Sequence, residues 1–231
     1  MLANMNRLVV NIIHESGCDR RAVNELIAEA VEVVVFGSRA VGAHGSSSDL
    51  DLLVITPYKR RVISHGLDCV LLNPEEAENA FWLGSELASH IAKYGLWVSG
   101  RDDWKSKVRI SDRAIIRKQD RISSILRSAA QRWQRLHPLF QTKYRITLRR
   151  ELQRLNLLVR GMPVPPTPIL DAEWNTPVHS GQDLFALASD HYFLESRHAE
   201  LAYALETVWP TSVDSQREAV TAGRSPHMGC S

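Results

Sequence analysis

Asp49 and Asp51 stand two residues apart in the run Asp49-Leu50-Asp51-Leu52-Leu53-Val54-Ile55. In an extended chain residues at that spacing share one face, so the pair offers neighbouring hard oxygen ligands of the kind that hold Mg2+ or Mn2+. Upstream, Gly37-Ser38 closes an apolar run. The glycine lets backbone approach a phosphate closely, the serine hydroxyl can bond a phosphate oxygen or cap the turn that follows, and Arg39 adds a cation beside them. Metal-binding carboxylates and a phosphate-receiving turn are the parts needed to neutralise a triphosphate and to align an attacking oxygen with its α-phosphorus. Singly, each has a plainer role: Gly37 can end a strand, Ser38 can cap a helix and Asp49 can sit in a turn. Asp51 is different, because a carboxylate within Leu50-Asp51-Leu52-Leu53 is poorly solvated unless a cation meets it.

The elements that must position these residues are readable on either side. Residues 24–30 carry an amphipathic helical pattern, and Val31-Glu32-Val33-Val34-Val35-Phe36 is a β-branched run stopped by Gly37, which predicts a buried strand ending in a turn. Residues 42–48 read as a loop that leads into a second strand at 49–55, bounded by Thr56-Pro57. A third strand is expected at 62–63 or, on the stronger pattern, at 67–72, which places Asp68 inside or at the edge of a strand. Asn73-Pro74 ends it and Pro74-Glu75-Glu76 opens a helix. Residues 81–94 predict a helix with Gly95 as its C-cap, and 96–98 a short extended segment, so a first domain is expected over residues 1–100. Beyond it, helical periodicity runs through 112–136 and 144–159, separated at Pro138. A Pro-rich connector at 163–177, a third helix at 182–205 and a polar tail complete the chain, giving a helical domain over 101–210 and a flexible tail over 211–231.

The stretch VVVFGSRAVGAHGSSSDLDLLVI resembles the polymerase-β-like nucleotidyltransferase superfamily, and especially its minimal nucleotidyltransferases of bacteria and archaea. Their pattern is an apolar strand, Gly-Ser, a loop, Asp-x-Asp flanked by apolar residues, and a further Asp on a later strand. The resemblance covers residues 20–100, and ELASHIAKYGLWV is similar to the helix and strand that close such domains. It implies an α/β (α+β) nucleotidyltransferase domain with a small mixed sheet, here followed by an all-α helical domain. It further implies that Asp49 and Asp51 bridge two metal ions, and that Asp68, in GLDCVLL, is the third carboxylate, joining the ligand set and helping to deprotonate the attacking hydroxyl. Gly37, Ser38 and Arg39 would hold the nucleoside triphosphate. The implied activity is transfer of a nucleoside monophosphate, with Mg2+ or Mn2+ as cofactor, to a hydroxyl of a protein, as in antitoxins that modify a toxin, of an RNA end, or of a small molecule such as an aminoglycoside. An antitoxin-like nucleotide-binding interaction module is the other reading of the same residues.

Charge is segregated along the chain. Residues 101–160 hold 17 Lys/Arg against 5 Asp/Glu, out of 28 and 26 in the whole sequence, whose net charge is only +2. Arg145 with Arg149, and Arg150 with Arg154, stand four apart on a helix away from Leu148, Leu152 and Leu155, and Arg117, Lys118 and Arg121 would extend the stripe. Such a stripe is either a solvated face or a contact surface for RNA or for the nucleotide's phosphates. Arg132 and His137 match the Arg-x4-His spacing of HEPN-domain ribonucleases, a pattern of low information that also suits an Arg–His pair on a helix surface.

Other classes are disfavoured. There is no G-x-x-x-x-G-K-[ST] segment for a P-loop ATPase and no H-E-x-x-H among the nine histidines. Cys18, Cys69 and Cys230 are odd in number and far apart, with no C-x-x-C, which points to a reducing cytoplasm. The N-terminal apolar run is too short for a membrane span and lacks a signal peptide's basic start and cleavage site, so no membrane association is expected. The oligomeric state is left open by the sequence.

Overall fold

The computed structural model describes residues 7–58, 65–173 and 207–208. Two helices lead into the sheet. The N-terminal apolar run, too short for a membrane span, forms α1 (Arg7–Glu15), which buries Val9, Ile12 and Ile13 at helical spacing. Asp19 caps α2 (Arg20–Glu29) by accepting from the N–H groups of Arg21 and Ala22, so this helix begins before residue 24.

Four strands form one mixed sheet in the order β3-β2-β1-β4: β1 (Glu32–Phe36), β2 (Leu50–Ile55), β3 (Leu67–Leu72) and β4 (Leu96–Ser99). β1 is antiparallel to both β2 and β4, while β2 and β3 run parallel. β1 is buried along its whole length, as a central strand covered on both faces must be. One face, with Val33, Val35, Leu50, Leu52 and Val54, packs on α1 and α2 through Val9, Ile12, Ile13 and Val23. The other, with Val34, Phe36, Leu53 and Ile55, packs on Trp82, Ala88, Ile91 and Trp104. The stronger strand pattern at 67–72 is the one the chain adopts; the alternative at 62–63 lies outside the described residues.

The helix expected over 81–94 is two helices, α5 (Ala80–Leu83) and α6 (Glu86–Tyr94), preceded by the short α4 (Pro74–Ala77). The break has a local cause: Ser85 Oγ accepts from the N–H of Ala88 and starts α6 afresh after Gly84. Then come α7 (Asp112–Arg132), a 3-10 turn at Trp133–Arg135, and α8 (Pro138–Val159), which starts at the proline itself because a missing N–H costs nothing in a first turn. The Pro-rich connector contains a further helix, α9 (Thr167–Glu173). The helix expected at 182–205 and the tail lie outside the described residues.

The chain divides into two compact units, Met1–Lys118 with Gln153–Asn175, and Gln119–Leu152 with Thr176–Ser231. In the first, Leu157, Leu158, Val164 and Leu170 form a small core with Ile110 and Ile115. In the second, Ile122, Leu126, Ala129, Leu148 and Leu152 are buried, and Trp133 lies beneath the Arg145 guanidinium. Among the described residues no helix is long and apolar enough to cross a membrane.

Candidate active site

The carboxylates collect at one end of the sheet because three strand ends meet there. Asp51 lies opposite Phe36, the last residue of β1, and in parallel register with Asp68 on β3. Registered neighbours point to the same side, so Asp51 and Asp68 stand next to one another on the face that also carries Phe36, Leu53 and Ile55. Asp49 precedes β2 at the alternating position and is exposed, as is Asp68, whereas Asp51 is half-buried.

Gly37 closes β1 with φ +71, a conformation glycine adopts without cost, and opens α3 (Gly37–Ala40). A methyl group built on its Cα would run into the Asp51 carboxylate. The sequence signals Gly37-Ser38 and Asp-x-Asp are therefore two sides of one contact. Ser38 is half-buried, and its hydroxyl has no partner among the described residues. α3 packs against α6 and α9, so the helix inside the Pro-rich stretch forms a wall of the Gly-Ser turn.

Arg39 points inward. It is only 2% exposed; its Nε donates to the carbonyls of Ser48 and Asp49 at 3.0 and 3.2 Å, and its Nη2 to that of Ser48 at 2.6 Å. The guanidinium thus fastens the loop that delivers Asp49 to β2, and its charge reaches the carboxylates through the same position.

The Asp51 carboxyl is pushed up to about 6 from its ordinary 3.8 by burial first, then by the negative charges of Asp68 and Asp49, with Arg39 pulling the other way. No donor reaches its side chain among the described residues. Among those residues no three His, Cys, Asp or Glu side chains are gathered closely enough to hold a metal ion, so the three carboxylates feel one another's charge without converging on a point. Their chemistry fits a divalent cation nonetheless: all donors are hard oxygens, and the half-buried member is destabilised by the other two.

His90, absent from the sequence reading, lies on the same side of the sheet. Its ring meets Phe36 edge-on at 6.1 Å and tilts against Tyr94 at 5.7 Å. Nδ1 is 2.7 Å from the Val164 carbonyl, which makes it the protonated nitrogen and leaves Nε2 as the acceptor. Burial holds the imidazole below its usual range despite the carbonyl and Glu86, so it is neutral at pH 7. One histidine on an amphipathic helix gives no sequence signal, because its neighbours Phe36 and Val164 are brought to it only by folding.

The arginines singled out on α8 are held within the protein. Arg145 Nε donates to the Val208 carbonyl at 3.0 Å, and Arg154 Nη2 to Thr167 Oγ1 at 2.9 Å, while Arg149 and Arg150 have interactions of their own. Lys118 is buried against Glu86 at 2.7 Å, and Arg121 pairs with Glu151 at 3.4 Å. His137 accepts from the Leu139 N–H at the start of α8, and Arg132 ends α7.

No curated protein matches the chain. Residues 20–127 match the family model described as a nucleotidyltransferase domain, a span that contains Gly37, Ser38, Arg39, Asp49, Asp51 and Asp68. Residues 20–127 thus carry a nucleotidyltransferase domain, a type of domain that transfers phosphorus-containing groups.

Proposed function

We propose that the protein transfers a nucleoside monophosphate from a nucleoside triphosphate to a hydroxyl of an acceptor protein, RNA or small molecule, with release of pyrophosphate. The observation that carries this reading is the registry of Asp51 beside Asp68 with Gly37 against the Asp51 carboxylate, which joins the two sequence motifs into one site. Asp49, Asp51 and Asp68 would hold Mg2+ or Mn2+. Such ions, when bound, neutralise the triphosphate and polarise the α-phosphate.

The chain's own residues do the rest. Gly37 leaves room for backbone to meet phosphate oxygens, and the Ser38 hydroxyl is available to donate to one. Arg39 serves the site from behind, keeping the 48–49 backbone fixed so that Asp49 stays beside Asp51. Asp68, exposed beside Asp51, would take the proton of an attacking hydroxyl.

The test is incubation with labelled triphosphates, Mg2+ or Mn2+ and cell extract, comparing wild type with Asp49→Ala/Asp51→Ala. A labelled product made only by wild type supports the reading, and its mass names both donor and acceptor. Tight triphosphate binding without any product would instead identify a nucleotide-binding interaction module.

A further inference from the structure

The sheet's α5 side carries a second group of residues that the transferase reading does not use. Phe81, in α5, is 48% exposed. Two guanidiniums lie over its ring, Arg117 with Cζ 4.2 Å and Arg113 with Cζ 4.5 Å from the centroid. The arginines are four apart on α7 and so share one face, with Cβ atoms about 5–6 Å apart. Neither makes a hydrogen bond or an ion pair among the described residues.

Other cations near this site are paired with carboxylates. Lys118, the next residue, is buried and neutralised by Glu86, and Lys107 is taken by Glu78. Arg113 and Arg117 instead stand exposed and side by side, a like-charge pair at the spacing where such pairs destabilise a helix. Asp112, one residue away, offsets at most one of the two charges. Contact with the Phe81 ring compensates part of the cost and restrains both guanidiniums, whose N–H donors have no partner among the described residues. Two restrained guanidiniums with such donors match two successive phosphates of one strand. The exposed ring and the guanidinium planes offer flat surfaces on which bases stack. The surplus of cations over residues 101–160 supplies the long-range attraction.

We propose that Phe81, Arg113 and Arg117 form a clamp for a single-stranded nucleic acid. Strand binding at this clamp stands apart from the transferase reading.

The experiment is fluorescence anisotropy of the full chain with a short labelled oligouridylate and, in parallel, an oligothymidylate, across a salt series without metal or nucleotide. Binding should weaken with salt. Arg113→Gln/Arg117→Gln should reduce the slope of log affinity against log salt by about 1.4, two phosphates at about 0.7 each. Phe81→Leu, which keeps apolar bulk, should weaken binding about fivefold. Arg20→Gln/Arg21→Gln, equal in charge change but on α2, should leave the slope as in wild type, as should Asp49→Ala/Asp51→Ala, which removes transfer activity. Preference for one oligonucleotide names the natural strand as RNA or DNA. Absence of binding to either at low salt, or an Arg113→Gln/Arg117→Gln slope equal to wild type or to the α2 control, overturns the proposal.

Discussion

Two carboxylates on one face of the sheet, at opposite ends of β1 and its partner strand, meet opposite fates. Glu32, at the start of β1, is 6% exposed and saturated: its oxygens accept from Trp104 Nε1 at 2.7 Å, Trp97 Nε1 at 3.1 Å and the Asp102 N–H at 3.2 Å. Asp51, opposite the end of β1, is less buried, yet it receives no donor among the described residues and faces two further negative charges. Burial alone therefore does not decide whether a carboxylate is satisfied. The supply of donors does: Glu32 has been given three, and Asp51 none among the described residues. Gly100 makes the same point, since a side chain there would collide with Glu32, just as one at Gly37 would collide with Asp51. Close glycine packing serves both ends, once against a hydrogen-bonded carboxylate and once against one without donors.

The comparison can be broken most decisively at Asp51. Asp51→Asn should lower nucleotidyl transfer by about a thousandfold, roughly 4 kcal/mol of barrier, while the fold is retained; a variant with near-normal turnover in the labelled-product assay would remove Asp51 from the chemistry. Glu32→Ala should do the reverse. By stranding two indole N–H groups and a backbone N–H it should cost about 3 kcal/mol in urea unfolding, with Glu32→Gln recovering part of that through its remaining carbonyl. Gly37→Ala tests the shared boundary: the left-handed backbone and the collision with Asp51 together should cost about 2 kcal/mol and most of the activity, since Asp51 must move for the methyl to fit.

The smallest effect is in pH. Folding raises the Asp51 carboxyl from 3.8 to about 6, so the folded protein binds that proton more tightly than the unfolded chain. Its contribution is most favourable below the unfolded value and is lost as pH rises through about 6. The metal-free wild type should therefore fall behind Asp51→Asn in stability between about pH 4 and pH 7. The gap should reach about 1–2 kcal/mol, allowing for the solvent that screens a half-buried group. A pH-independent difference in melting temperature between the two would show that Asp51 is not strained by its surroundings.

Much of this site was legible in the sequence because its signals are local. Gly37-Ser38 after a β-branched run and Asp49-x-Asp51 inside a second run each need only the periodicity of a strand to be read. Asp68 was legible to the extent that 67–72 outcompetes 62–63 as a strand, which its apolar pattern decides. The direction of Arg39 was not, because its partners are the carbonyls of Ser48 and Asp49, reached only when the 42–48 loop folds back. Nor was the fate of the arginine stripe. Four-residue spacing marks a helical face but says nothing of whether that face meets water, and Arg145 and Arg154 are drawn instead to Val208 and Thr167.

By itself, then, the amino-acid order determined which groups sit on which strands and which face each takes, since alternation is a property of the backbone. Only tertiary structure decided that Asp51 lies in register with Asp68 and against Gly37, that Glu32 is sealed by two tryptophans, and that His90 and α9 flank the Gly-Ser turn. The physical reason is that charge and hydrogen bonding act through space. A carboxylate's state is set by the donors and charges within a few ångströms of it, and those come from parts of the chain that only the completed sheet brings together.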